Sequence, residues 1–378
     1  MSTNDWSTPE TNVFDRIAAA VEGGDDAVLA TVVDVEGSAY RRPGAKMLIT
    51  PDGGGAGSIT AGCLEDEVRE LAADVLDRGE PRVETWDLMN DEDDVWGMGV
   101  GCNGVITVLL EPLGESYRPV TEAYDRGESV GVVTVLGGDG PPVGTRSVRR
   151  PGGGFAGDLP DSLAEAVADE VDRLVAAGES DAVAVERDGG RVELFVDGIE
   201  PPPELVVFGS GHDVGPVAEL ATLADFRVTV VSFRGLHADE ERFAAADEVV
   251  SASPGEVADL REWDAETYAV VMTHNFVDDR LALDALLSTP VPYVGVMGPR
   301  KRFAEMRERF REEGREFDDA ELDRVYTPIG LNLGGDTPYR IACSIVTEVL
   351  AVAHDRSPGH LRDRDEPIHD RAETPPSG

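Results

Sequence analysis

The run Leu205-Val206-Val207-Phe208-Gly209-Ser210-Gly211-His212-Asp213-Val214-Gly215 decides the fold of the C-terminal half of this 378-residue chain. Its apolar start reads as a buried strand, Gly209 and Gly211 as a tight turn, and the residues from Val214 onward as the opening of a helix. A strand, glycine turn and helix in that order is where a phosphate meets backbone N–H groups and the positive end of a helix dipole. The spacing is one residue longer than G-x-G-x-x-G.

Downstream, strand-like Arg227–Ser232, Tyr268–Thr273 and Tyr293–Met297 alternate with helical Val214–Ala224, Arg280–Leu287 and Thr337–Ala353. The alternation predicts a parallel, doubly wound, Rossmann-like sheet, with ligands at the carboxyl ends of its strands. That edge carries Gly209 to Asp213, Ser232, His274, Asn275, Gly298, Arg300, Lys301 and Asn332. A dinucleotide site ordinarily has an acid at the end of the second strand; here Ser232 holds the place, with Arg234 two residues on. The pair disfavours NAD and leaves NADP or another phosphorylated ligand open. The cluster Arg300-Lys301-Arg302 fits an anion, the alternative being ordinary i, i+4 pairs with Glu305 and Glu308. His212 and His274 each stand alone, as hydrogen-bonding or capping residues rather than zinc ligands.

Upstream, Glu200-Pro201-Pro202-Pro203-Glu204 fits neither helix nor strand, because proline lacks a donor and keeps its predecessor extended. We therefore expect an α/β, glycine-rich N-terminal domain over 1–198, a linker over 199–204, the Rossmann-like domain over 205–354, and a charged, disordered tail over 355–378. Within the first domain, Val13–Val21 reads as a helix, Ala27–Asp34, Lys46–Thr50, Val105–Leu110 and Val130–Leu136 as strands, Leu163–Ala176 as a helix, and Asp181–Val196 as a hairpin. No internal repeat is evident.

Three glycine-rich segments of that domain carry reactive or charged residues. Gly37-Ser38-Ala39-Tyr40-Arg41-Arg42-Pro43-Gly44-Ala45-Lys46-Met47 sets Arg41, Arg42 and Lys46 between two strands, where charge and backbone both reach an anion. Gly62-Cys63-Leu64-Glu65 puts a thiol at a helix start, the setting in which a thiolate binds soft metal or carries sulfur. Gly101-Cys102-Asn103-Gly104 precedes a buried strand. The remaining cysteine, Cys343, lies among Ile341, Ile345 and Val346 and reads as a small core residue.

Composition narrows the partners. A formal net charge of -42, with only two lysines, Lys46 and Lys301, opposes nucleic acid and anionic membrane surfaces and fits a proteome adapted to high salt. No apolar run is long enough to span a bilayer and the start lacks the pattern of a secretory signal, so the expectation is a cytoplasmic protein with free thiols.

Taken together, the three N-terminal segments closely resemble the XdhC/CoxI family. Leu205–Gly215, Val228–Arg234, Met272-Thr273-His274, Tyr293–Lys301 and Pro328-Ile329-Gly330-Leu331-Asn332-Leu333-Gly334 extend the resemblance in the same order, over nearly all of Val13 to Ala353. The resemblance implies a maturation factor rather than an enzyme: it binds the molybdenum cofactor, a molybdopterin, supports sulfuration of that cofactor with a cysteine desulfurase, and passes it to an apo molybdenum hydroxylase of the xanthine dehydrogenase or CO dehydrogenase type. It places the metal or sulfur end at Cys63 and Cys102, and other contacts at Arg41, Arg42, Lys46, Gly62 and Glu65. The Rossmann edge would add Gly209, Gly211, His212, Ser232, Arg234, His274, Arg300 and Lys301. An NADP-dependent oxidoreductase and a scaffold that recruits desulfurase and client without holding cofactor are the competing readings. A homodimer is compatible with all three.

Overall fold

A computed structural model describes residues 4–88, 104–187, 190–235 and 240–363. Cys102, the Asp188-Gly189 turn and the tail from 364 onward lie outside the described residues. The chain divides between Pro202 and Pro203 into two compact units.

In the first unit, β1 (Asn4–Asp5), α1 (Glu10–Gly23), β2 (Val28–Gly37), β3 (Lys46–Ile49), β4 (Gly55–Gly57), α2 (Glu65–Arg78), β5 (Arg82–Asp87) and β6 (Gly104–Pro112) are followed by α3 (Arg118–Asp125), β7 (Val130–Gly138), β8 (Arg146–Arg149), β9 (Phe155–Gly157), α4 (Asp161–Ala166), α5 (Ala168–Ala177), β10 (Ser180–Arg187) and β11 (Gly190–Ile199). They form two sheets, ordered β1-β4-β3-β2-β6-β5 and β10-β11-β7-β8-β9, antiparallel except where β1 joins β4. Val68, Ala72 and Val75 recur at helical spacing on α2 and are buried against Val28, Ala30, Ile106 and Val108 of the first sheet. Val171, Leu174 and Val175 of α5 do the same for Val133, Val135, Leu194 and Val196 of the second. Each buried valine or leucine contributes about 1.5–3 kcal/mol relative to exposure. Both helices stop at a left-handed glycine, Gly79 (φ 67°) and Gly178 (φ 61°), a conformation that costs other residues more. The stretch expected as one helix over Leu163–Ala176 is two, broken at Val167 (φ -110°, ψ 3°).

The second unit alternates β12 (Glu204–Phe208), α6 (Val214–Thr222), β13 (Arg227–Ser232), β14 (Glu248–Ser251), β15 (Thr267–Val271), α7 (Phe276–Leu287), β16 (Tyr293–Val296), α8 (Arg300–Glu312), α9 (Asp319–Asp323), β17 (Val325–Tyr326) and α10 (Pro338–Ala353). Its sheet is ordered β14-β13-β12-β15-β16-β17 with every pairing parallel, a doubly wound Rossmann sheet. Leu205 to Phe208 are buried on both faces. Leu205 and Val207 pack with Val217 and Ala221 of α6 and Ile345 and Val349 of α10, whereas Val206 and Phe208 pack with Leu283 and Leu286 of α7 and Met306 and Phe310 of α8. Alternate side chains on a strand point to opposite faces, so a continuous apolar run is what a central parallel strand requires.

Candidate functional site

The N-terminal segments come from the first sheet and its connections. The loop between β2 and β3 presents Tyr40, which is 65% exposed, and leaves Arg42 half-buried with no ion pair among the described residues. Arg41 is engaged: its guanidinium donates to Glu10 at 2.5 Å. Lys46 departs further from expectation. Its side chain is 2% exposed, and its ammonium donates to Asp197 Oδ2 at 2.7 Å and to the Gly44 carbonyl at 2.8 Å. Burial lowers its pKa, but Asp197 with Tyr117 and Glu10 together more than offset that and hold the group well above its ordinary value. Lys46 is therefore a neutralised core cation, not a contact for an incoming anion.

The Cys63 turn has its own internal order. Thr60 Oγ1 accepts from the N–H groups of Gly62 (3.3 Å), Cys63 (3.0 Å) and Leu64 (3.3 Å). Glu65, 7% exposed, accepts from Thr60 N–H at 2.9 Å, from the Thr60 hydroxyl at 2.6 Å and from Leu64 N–H at 3.1 Å. The expected ligand contact at Glu65 is thus corrected: its carboxylate closes the turn. Cys63 is half-buried one residue ahead of the Leu64 cap of α2, and the Cβ side of Gly62 (φ 112°) faces open space. Ala39, Cys63 and Leu88 pack against the same core cluster. A Cβ on Gly104 would lie 2.6 Å from the Glu36 carbonyl oxygen and 2.8 Å from that of Ser38, so the start of β6 runs hard against the end of β2 and the first residues of the arginine loop.

At the carboxyl edge of the Rossmann sheet, Gly209 passes so close to β15 that a Cβ would sit 2.8 Å from the Met272 carbonyl oxygen. Asp213, at the N-terminus of α6, hydrogen-bonds His274 Nε2 at 2.8 Å, and His274 holds a left-handed backbone (φ 59°). Arg242 donates to the Ser210 carbonyl at 2.9 Å and braces the glycine turn from its other side. Asn275 Oδ1 accepts from Val277 N–H and Asp278 N–H and caps α7. Asp279, 1% exposed, accepts from Thr273 N–H at 3.1 Å and the Thr273 hydroxyl at 2.5 Å, and pairs with Arg302 at 2.6 Å.

Ser232 does not fit the ribose role. It is fully buried, its hydroxyl donates to the Arg234 carbonyl at 3.0 Å, and it accepts from Arg234 N–H at 3.2 Å. The Arg234 side chain is 58% exposed and 3.8 Å from Asp278. Arg300 and Lys301 occupy the exposed first turn of α8 and have no ion pair among the described residues, with neither Glu305 nor Glu308 as partner. His212 is exposed on the glycine turn. Cys343, expected in the core, is exposed: the buried face of α10 is Ala342, Ile345, Val346 and Val349, and Cys343 lies beside that stripe. Among the described residues no group of three or more His, Cys, Asp or Glu side chains is placed to hold a metal ion. Asp197, Arg242 and Asp279 carried no signal in the sequence, because each acts on a segment distant from it or sits within an otherwise ordinary helix.

Comparison with known proteins bears on both units. The XdhC Rossmann domain family matches residues 205–349, and the XdhC and CoxI family matches residues 20–87. A Bacillus subtilis protein named as a probable component of xanthine dehydrogenase is 29% identical over 343 residues, 90% of this chain and 97% of its own. The Escherichia coli molybdenum cofactor insertion chaperone PaoD is 22% identical over 334 residues, 88% of this chain and 85% of its own. A crystal structure from Bacillus halodurans, described as a xanthine dehydrogenase, aligns with a TM-score of 0.75 at 26% identity, covering 93% of this chain and 97% of the other. With both units matched in order and the fold shared across nearly the whole length, this chain belongs to the XdhC and CoxI family.

Proposed function

We propose that the chain is a maturation factor that binds the molybdenum cofactor as cargo, protects it, and delivers it to an apo molybdenum hydroxylase of the xanthine dehydrogenase or CO dehydrogenase type. The observation that carries the reading is that the likeness to a cofactor insertion chaperone runs through both units rather than through the common Rossmann fold alone. The chemistry of the N-terminal loops is in keeping with it. Cys63 offers soft sulfur to the metal end of a molybdopterin and Arg42 offers a guanidinium to its phosphate. In the second unit Arg234, Arg300 and Lys301 are the cations left for a phosphorylated ligand, a nucleotide included. Sulfuration with a cysteine desulfurase, and action as a homodimer, belong to the same proposal.

The test is anaerobic titration of the full chain with purified molybdenum cofactor in high salt, comparing wild type with Cys63→Ala, Cys102→Ala and Arg42→Ala. The expected result is stoichiometric binding by wild type that weakens at least tenfold when the contacting thiol or guanidinium is removed. A wild-type protein that retains no pterin sinks the proposal. The exposed Arg234 side chain keeps a second reading, NADP-dependent oxidation and reduction. It requires calorimetric NADP binding that Arg234→Ala weakens, and fails if none is seen.

A further inference from the structure

The two sheets of the first unit share more than a class. Setting aside β1, which lies outside β4 in the first sheet and has no counterpart in the second, the first runs β4-β3-β2-β6-β5 and the second β9-β8-β7-β11-β10, the same order of first-to-last elements with the same antiparallel pairings. Thr31 pairs with Lys46 on one side and Leu109 on the other; Thr134 pairs with Arg146 and Phe195. Each inner pairing slips at the same place, leaving Val33 unpaired in one sheet and Leu136 in the other. Gly44 N–H donates to the Val32 carbonyl at 2.8 Å, and Gly144 N–H to the Val135 carbonyl at 2.9 Å. Lys46 and Arg146, Pro51 and Pro151, and Gly57 and Gly157 stand one hundred positions apart.

The contacts between the sheets are reciprocal. Lys46 of the first reaches Asp197 of the second, and Arg146 of the second reaches Glu111 of the first, with Glu111 and Asp197 at matching places on β6 and β11. Lys46 lies over the Phe14 ring at 5.5 Å and Arg146 over the Tyr117 ring at 5.4 Å. Gly44 approaches Ser180, and Gly144 approaches Pro81. Val33, Leu136, Leu109 and Phe195 fall in one cluster between the sheets. A cavity of about 10 Å³ there is lined by Thr31 with Thr134, Leu109 with Phe195 and Glu111 with Asp197, and by Tyr117, Val132 and Arg146 of the second sheet's side alone. Matched contacts of this kind, in which i touches j and j touches i, are what a two-fold axis produces.

We infer that residues 10–112 and 115–199 are two copies of one module, joined in a single chain about a pseudo-two-fold axis, and that only the first copy keeps a ligand site. The expectation of no internal repeat does not hold: matched positions keep their structural role while few keep their residue. Departures from the symmetry gather in the first copy. Its Thr31-to-Lys46 stretch, with Arg41 and Arg42, is three residues longer than Thr134-to-Arg146. Where the first copy turns through Thr60 to Cys63, the second runs into the helix Asp161–Ala166, with Leu163 buried. One ligand per chain follows, with the second copy as the brace that holds Gly44 and Lys46 at the base of the arginine loop.

The statement about the ligand rests on the cofactor-binding proposal; the duplication does not. Two sets of full-length variants separate them. Asp197→Asn and Glu111→Gln each leave a buried cation short of its partner, and both should lower the thermal midpoint of the first unit by roughly 6–20 °C. A shift near zero for either one overturns the reciprocity. In the second set, residues 58–64 are replaced by the sequence of residues 158–167, the counterpart junction. The grafted chain should keep its cooperative transition and lose binding of purified molybdenum cofactor, of which wild type takes one per chain. A graft that unfolds overturns the equivalence of the two copies, and one that folds and still binds, or a wild type that binds two, overturns the single site. A wild type that binds none sinks the cofactor proposal, while the first set still decides the duplication.

Discussion

Replacing Asp279 by asparagine should loosen two parts of the Rossmann edge at once. One carboxylate oxygen accepts both the N–H and the hydroxyl of Thr273, fixing the corner that leads to His274; the other holds Arg302 in the first turn of α8, beside Arg300 and Lys301. Asparagine removes the charge, and its NH₂ group would oppose the guanidinium as donor against donor. Breaking a fully dry pair from one side costs about 3–5 kcal/mol. Asp279 is 1% exposed but Arg302 is 26% exposed and also lies over the Phe276 ring, so the arginine retains water and a second contact. We therefore expect a loss of about 2–3 kcal/mol, a drop of roughly 4–12 °C in the midpoint of this unit. Urea unfolding of the full chain, followed by a probe in the second unit, measures it. The loss should persist in molar salt, which screens exposed pairs such as Arg309–Glu312 far more than buried ones. The double variant with Arg302→Met supplies the coupling, expected to exceed about 1 kcal/mol. A stability within about 0.5 kcal/mol of wild type, or an Arg302→Met cost unchanged by Asp279→Asn, refutes the reasoning.

Gly104→Ala should destabilise the first unit by about 1–3 kcal/mol, since its Cβ meets two carbonyl oxygens that belong to the sheet, whereas Gly79→Ala, with open space and only a left-handed φ to oppose it, should cost about 1 kcal/mol; chemical denaturation ranks the two. Glu65→Ala opens the Thr60 turn and should raise the rate at which Cys63 reacts with a thiol reagent by tenfold or more in a chain whose other cysteines are serine; an unchanged rate means that the turn holds without the carboxylate. Burial pushes the Tyr268 hydroxyl up to about 12, with Glu266 and Asp264 adding to it. A folded-state value above the unfolded one, which lies near 10, means that the neutral phenol favours the fold: the contribution is complete below about pH 10 and lost as pH rises toward 12. Stability measured from pH 9 to 12 should fall less steeply in Tyr268→Phe than in wild type, and parallel curves would count against that sign. Arg300→Ala combined with Lys301→Ala should weaken phosphate binding to the second unit without moving its midpoint by more than about 1 °C, as expected of exposed cations with no ion pair among the described residues.

The Rossmann unit was readable because its signals are local. Leu205 to Phe208 are apolar without a break, Gly209 and Gly211 follow at once, and the next strand arrives within one helix length. What escaped was an element of mixed character: β14 has the pattern of an exposed edge. In the first unit the short strands Gly55–Gly57 and Phe155–Gly157 are too glycine-rich to announce a strand, yet the second closes its sheet and the first joins β1 to its own. At the site, cations were legible but their partners were not. Lys46 and Arg42 look alike in a glycine-rich loop; only a carboxylate 151 residues away separates a core ion pair from an available guanidinium. Cys343 was different, since the i, i+3, i+4 spacing of Ala342, Ile345 and Val346 already placed it off the buried stripe.

The closed turn at Thr60 constrains how any molecule approaches Cys63. Three consecutive N–H groups converge on one hydroxyl oxygen, a second acceptor comes from Glu65, and the first helical turn carries the carboxylates of Glu65, Asp66 and Glu67. A helix entrance ordinarily welcomes negative charge; this one has the N–H groups just ahead of it taken by Thr60 and Glu65, and the carboxylates of its first turn mask the pole. An elongated guest with an anionic tail and a sulfur-loving head would be sorted by that asymmetry, entering head first with its tail turned outward. The orientation of the cargo would then be fixed by what the turn withholds as much as by what the thiol offers.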